Sequence, residues 1–273
     1  MSVSTFPGVP SYAFDNDDLE ARDRHTYLSE ILDEVTIERL ASLGDLTGKR
    51  CLEVGAGGGS VAAWLAARTG RTGHVLATDI NPRHLPVAAD YSVLGHDLVN
   101  EPIPDGPWDV IHARLVLLHI PEREDILRRM ADALAPGGAL LVEEWEATFG
   151  KLLLSAPDEE AASLFDEYLR LMLGQIMPAK GNDAGWASRV HAAMMAAGLT
   201  NVDTRVSSRS WPGGTAGALL VAANIGQLRE EFIEAGMSAQ RLDRLCELVA
   251  DPRLVVRNHF TYSTLGRRPL ADT

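Results

Sequence analysis

Cysteine is almost missing from this sequence: Cys51 and Cys246 are the only two in 273 residues. Two isolated cysteines offer neither a disulfide framework nor the paired spacing of a zinc site, so no metal is expected and a reducing, cytoplasmic setting is. Lysine is nearly as scarce, with Lys49, Lys151 and Lys180 the only three among 25 basic residues. That arginine skew, together with abundant alanine and glycine, has the look of a GC-rich bacterial genome. A surplus of positive charge is lacking altogether. The formal net charge is −13, which argues against a nucleic-acid partner, because a phosphate backbone needs basic surface for counterion release. An acidic cap over a neutral or cationic small molecule fits that charge better. No apolar run approaches the roughly 18–20 residues of a membrane span. The opening "MSVSTFPGVP" lacks the basic start and apolar core of a signal peptide.

What is present is ordinary globular material, 46% hydrophobic and 23% charged, in a length that suits one elaborated domain. Residues 17–43 repeat apolar positions at helical spacing (Leu28, Ile31, Leu32, Val35, Leu40) and stop at Gly44. Then "KRCLEV", "GHVLATD", "YSVLGHD", "WDVIHARLVL" and "APGGALLVEEW" read as five strands, with helices over 60–69 and 121–134 between some of them. This alternation predicts an α/β, Rossmann-like open sheet, mostly parallel, with the last strand antiparallel and a helical lid. The chain divides into an N-terminal arm and helical cap (1–44), a cofactor-binding core (45–150) and a helical lid insertion (151–183). There follow a core helix and strand (184–212), a second helical insertion (213–252), and the last core strand and tail (253–273). Helices are expected over 158–177, 184–197 and 215–250. Single strands are expected for "NVDTRVSSRSW" and "RLVVRNHFTYSTL".

"CLEVGAGGGS" is a strand running into a glycine turn, and Asp79 follows about one strand and helix later. A dinucleotide fingerprint fails from Gly55, where Ser60 takes the sixth position, but passes in the frame Gly57–Gly59–Ala62. Asp79 serves as a ribose partner for either NAD or S-adenosylmethionine. Glu53 distinguishes them. A carboxylate at the strand's end would repel a pyrophosphate on the following helix and attract a ligand bearing an amine and a sulfonium.

The run from Glu53 through Gly55, Ala56, Gly57 and Gly59, with Asp79, His96-Asp97, "WDVIHARLVLLHIP" and "LAPGGALLVEE", resembles the class I S-adenosylmethionine-dependent methyltransferases. It is similar in particular to actinobacterial enzymes that methylate small natural products. The resemblance is specific over 45–146 and weaker elsewhere. It implies S-adenosylmethionine as cofactor and S-adenosylhomocysteine as product. Glu53 would contact the methionine amine, with the Gly55–Gly59 backbone beside the methionine portion. Asp79 would hold the ribose hydroxyls and Ile80 would pack on adenine. Asp97 would take the adenine amino group, with His96 before it and Leu98 beside it. The backbone near Ala113 and Arg114 would approach the amine from the other side.

Methyl transfer needs alignment and exclusion of water, and a base only where the acceptor must lose a proton. His119, just after the fourth strand, is the candidate base, because an unperturbed imidazole titrates near neutrality. His112 reads as a structural residue within the strand. Of Glu143 and Glu144, alternation sends one toward the ligand and the other away. Tyr12, Phe14, Tyr27, Trp145, Met172 and Trp186 are the candidates for a pocket holding a flat, largely apolar small-molecule substrate. Part of the apolar lid could instead cover a second subunit, giving a homodimer. An NAD(P)-dependent oxidoreductase, or a methyltransferase-like enzyme that uses the cofactor for a coupled cyclisation or a non-transfer reaction, remain alternatives.

Overall fold

The computed structural model describes residues 19–86 and 90–271. α1 (Leu19–Ala41) precedes β1 (Arg50–Val54), α2 (Ser60–Thr69), β2 (His74–Asp79), β3 (Ser92–Gly95) and β4 (Trp108–Arg114). Then come α3 (Arg123–Asp132), β5 (Leu134–Glu146), β6 (Leu153–Ser155), α4 (Glu159–Leu171), α5 (Met177–Ala179) and α6 (Val190–Ala196). The chain closes with β7 (Thr200–Ser207), β8 (Ser210–Pro212), α7 (Ala216–Gln227), α8 (Arg229–Glu234), α9 (Ala239–Leu248), β9 (Val255–Arg257) and β10 (Phe260–Arg267).

Seven strands form one sheet in the order β3-β2-β1-β4-β5-β10-β7. The neighbours from β3 to β5 pair in parallel, and β10 is antiparallel to both β5 and β7. Strand order reverses between β1 and β4, and open α/β sheets leave a crevice at the carboxyl ends of the strands there. Alternation along the strands sorts the core. Cys51, Val75, Val110 and Leu141 face α2 and the end of α1, while Leu52, Ile111, Leu140 and Val142 face α3 and α6.

A third apolar cluster lies apart from the sheet. It joins Ile31 and Leu32 of α1 to α4, α7, α8, α9 and a second sheet of three short strands, β6-β9-β8. Sequence alone does not anticipate this small sheet. "NVDTRVSSRSW" divides into β7 and β8, and "RLVVRNHFTYSTL" into β9 and β10, so both ribbons pass from one sheet to the other. The break is pinned by Asn258. Its Oδ1 accepts from Arg209 N–H (2.9 Å) and Trp211 Nε1–H (3.3 Å), and its carbonyl accepts from Ser208 Oγ (2.9 Å). Those bonds satisfy the backbone where neither ladder can continue.

Other elements differ at their ends. The helix expected over 158–177 is α4 followed by a π-turn at Met172–Ile176 and then α5. That over 184–197 shortens to a 3₁₀ turn (Ala187–Arg189) and α6, and the block 215–250 is three helices. No helix among the described residues is long and apolar enough to cross a membrane.

Candidate functional site

Three strands end in polar residues on the face that α1 and α2 cover. Glu53, His112 and Glu143 share it, since each lies two residues beyond a core residue of that face (Cys51, Val110, Leu141). All three are buried. His112 Nδ1 lies 2.7 Å from Glu53 Oε2, and its Nε2 lies 3.3 Å from Glu143 Oε2. Glu143 also accepts from Ser263 Oγ at 2.6 Å and from the hydroxyl of Thr36 in α1. Arg114 closes the circuit, donating to Thr36 Oγ1 at 2.8 Å and to Asp33 Oδ1 at 2.9 Å. Burial by itself would lower the pKa of His112, but the carboxylates of Glu53 and Glu143 outweigh it and raise the imidazole to about 9. Burial likewise pushes Glu143 up, and its bonds from His112, Ser263 and Thr36 hold it below the ordinary range. A buried imidazolium therefore bridges two carboxylates beneath the first cavity.

That cavity, of about 270 Å³, occupies the carboxyl ends of β1, β2 and β4. Of the residues expected to hold a cofactor, Glu53, Gly55, Ala56, Gly57, Asp79, Ile80, His96, Asp97, Leu98 and Arg114 line it. Among the described residues no protein group bonds Glu53 Oε1, so this oxygen is available to a ligand. Asp79 fixes the glycine turn: Oδ2 accepts from Gly57 N–H and Oδ1 from Asn81 N–H, each at 2.9 Å. Ile80 is 63% exposed at the rim, a large apolar side chain with a free face. His96 Nε2 lies 2.9 Å from the carbonyl of Pro102. Burial would raise Asp97, but donors from Asn100 and Val99 hold it below the usual carboxylate range.

Ala113 and Gly59, expected to meet the cofactor through their backbone, are not among the lining residues: the Ala113 side chain is buried on the opposite face of β4, and a Cβ added at Gly59 would meet the Tyr91 hydroxyl and Leu85. Gly59 caps α2 instead, at φ 81°.

A second cavity of about 110 Å³ lies under the cap, and Arg24, Leu115 and His119 line both cavities. Trp145 and Met172 belong to it, with Phe165, Tyr168 and Leu169. Trp186 does not. It is fully buried in the core beneath β4 and β5, with Arg123 and Arg189 guanidiniums 6.0 and 5.5 Å from its ring centroid. Tyr27 packs on the cap cluster and lines neither cavity, and Tyr12 and Phe14 lie outside the described residues.

His119 stands where expected, but its surroundings overturn the near-neutral titration assigned to it. Burial, then Arg24 and Arg123, lower it to about 3. It is a neutral imidazole at neutral pH, a weak base, with Nδ1 3.2 Å from Asn182 Nδ2. Glu143 and Glu144 both miss the cavities. Glu144 points to the α3 face, where its Oε1 accepts from Leu117 N–H (2.8 Å) and Leu118 N–H (3.3 Å), and burial pushes it up to about 8.

Sequence reasoning missed Arg24, His25 and Ser29, which α1 lays over the first cavity, and the polar groups Asn182, Asn224, Arg257 and His259 of the second. Arg24, Leu28 and Leu32 follow one another at four-residue spacing, so one helical stripe was the available signal.

Comparison with known proteins places this geometry. A family model described as a methyltransferase domain matches residues 21–202. The methyltransferase str2 of Strobilurus tenacellus is 42% identical over 108 residues, 37% of this chain and 38% of that protein. The ubiquinone/menaquinone biosynthesis C-methyltransferase UbiE of Pseudomonas savastanoi is 34% identical over 125 residues, 42% of this chain and 49% of that one. The chain thus spans less than half the length of these curated relatives. The structure of Haemonchus contortus phosphoethanolamine N-methyltransferase 2 in complex with S-adenosyl-L-methionine superposes with a TM-score of 0.56 at 18% identity. It covers 97% of this chain and 61% of that one, and shows a shared fold.

Proposed function

Because this chain belongs to the methyltransferase-domain family, we propose that it transfers a methyl group from S-adenosylmethionine to a small, largely apolar metabolite. One observation carries this reading: a cavity with a glycine turn and acids at the ends of β1 and β2 opens, at Arg24, Leu115 and His119, onto a second cavity with apolar walls. The cofactor supplies an activated methyl group on a sulfonium. Glu53 Oε1 holds the amine, Asp79 the ribose hydroxyls, and Ile80 and Leu98 flank the adenine. Trp145, Met172 and Phe165 hold the acceptor's apolar body, and His119 orients it by hydrogen bonding as a neutral ring. The roof of α1 excludes water, a condition for productive alignment. We read the setting as secondary metabolism in a bacterial cytoplasm, in keeping with two free cysteines.

Binding separates the candidate cofactors. S-adenosylhomocysteine is expected to raise the melting temperature and to titrate in the micromolar range by calorimetry, whereas NADH does neither. No response to S-adenosylhomocysteine in folded protein would overturn the reading. Gly55→Ala gives a sharper version. Gly55 sits at φ +65°, and an added Cβ would lie 2.4 Å from Val116 Cγ2, so the turn or Val116, both of which line the cavity, must shift. S-adenosylhomocysteine affinity is expected to fall at least about tenfold, an effect of the size of left-handed backbone strain. An unchanged titration would mean that the turn does not touch the ligand.

A further inference from the structure

Charge in the second cavity runs against the charge of the whole chain. The protein carries a net −13, yet the cavity is lined by Arg24 and Arg257 and, among the described residues, by no aspartate or glutamate. Arg257 donates from Nε to the Lys151 carbonyl at 2.8 Å and from Nη1 to the Asn258 carbonyl at 2.9 Å. Both partners are neutral. Its Nη2 is buried without a hydrogen-bond partner, and its guanidinium lies over the Phe260 ring, 4.0 Å from the centroid. The nearby acid, Glu146, is turned to Thr148, whose N–H donates to it at 2.9 Å, and is not among the lining residues. Arg24, which donates to Asn224 Oδ1 at 3.2 Å, stands at the junction of the two cavities.

Among the described residues the same cavity offers only weak bases. Its ionisable members besides the arginines are His119, His259 and Tyr168. Burial, and then Arg257, depress His259 to about 4, and burial raises the Tyr168 hydroxyl to about 12. Both histidines are neutral and poor bases, and the tyrosine keeps its proton. An ordinary hydroxyl or an ammonium would have to give its proton here to an imidazole that burial makes a weak base.

We propose that the acceptor atom is an oxygen already ionised in solution, a carboxylate or a comparably acidic enol, drawn into an apolar cavity by Arg24 and Arg257. The inference rests on the methyl-transfer reading and specifies its substrate class. An electron pair of the anionic oxygen forms the new O–CH3 bond. The methyl–sulfur bond breaks with its pair left on sulfur, so anion and sulfonium become a neutral ester or ether and a neutral thioether. No proton changes hands, which suits a cavity whose described bases are weak. The apolar walls of Phe165, Leu169, Met172 and Trp145 take the rest of the molecule.

Matched probes test this on the full chain saturated with S-adenosylhomocysteine, whose own affinity is measured first. Naphthalene-1-carboxylate, 1-naphthamide and 1-naphthylmethylammonium share a ring system and differ in charge. The carboxylate is expected to bind about tenfold more tightly than the amide by ligand-observed NMR, with the ammonium weakest. Arg257→Met should bring the carboxylate down about tenfold, to near the amide, with the affinity for S-adenosylhomocysteine unchanged. Equal binding of the three, an amide or ammonium that binds best, or an undiminished carboxylate preference in Arg257→Met would overturn the proposal. Failure of S-adenosylhomocysteine itself to bind would instead strike the methyl-transfer reading.

Discussion

Replacing His112 with asparagine is expected to cost about 3–5 kcal/mol of folding stability, the usual consequence of removing one partner from a buried ion pair. Glu53 and Glu143 would be left facing each other across the sheet without the cation between them. For a chain of this size that is a fall in melting temperature on the order of 10 °C. The pH dependence identifies the cause. The imidazole's pKa rises from 6.5 to about 9 on folding, so its stabilisation is complete below pH 6.5 and is lost as pH climbs through 9. Wild-type protein should therefore lose stability across that window, and His112→Asn should not. Urea titrations at several pH values between 6 and 10 measure both, and parallel profiles would show that His112 is uncharged. Ligand binding supplies a second readout. His112 fixes Glu53 Oε2, which in the proposed binding mode would aim the carboxylate at the amine; 5′-methylthioadenosine has the adenosine but not the amine. The variant should bind S-adenosylhomocysteine about tenfold more weakly and methylthioadenosine as before, the effect of one charged hydrogen bond. Equal losses for both would reduce His112 to a packing residue.

Asp79→Ala should lower affinity for both of those ligands, by about a hundredfold or more. Each hydrogen bond to a charged group is worth about 1.5–3 kcal/mol, and two ribose hydroxyls would be lost together. The substitution also releases Gly57 N–H and Asn81 N–H, so the turn that shapes the cavity loses its anchor. Asp79→Asn keeps one acceptor oxygen and should fall between. An Asp79→Ala variant that binds either ligand normally would mean the ribose lies elsewhere.

The contrast between these two residues measures what the sequence discloses. Asp79 is legible because its role depends on local order: a strand, a glycine turn and a second strand bring it to Gly57 over 22 positions. The bounds of α2, between Gly59 and Gly70, are legible for the same reason. His112 reads as structural because its partners are remote, Glu53 lying 59 positions away and Glu143 31. The link from Glu143 to Thr36 spans 107. Only the register of β1, β4 and β5 brings them into contact. The split between Glu143 and Glu144 was within reach of alternation, with Leu141 and Val142 marking the two faces. The depressed titration of His119 was not, since Arg24 and Arg123 approach it from two different helices. Trp186 misled because aromatic bulk suits a pocket wall and a core position equally well.

Asn258 has a consequence for descent. β7 and β10 both hand over to the small sheet at this one corner, and 213–254 lie between the strands beyond it. Insertions or exchanges on the far side alter the acceptor cavity without moving the register of β10 against β5 and β7. Selection can thus redraw the walls of the second cavity while Glu53 and Asp79 stay in place, and such a corner lets one lineage revise a single segment of the molecule at a time.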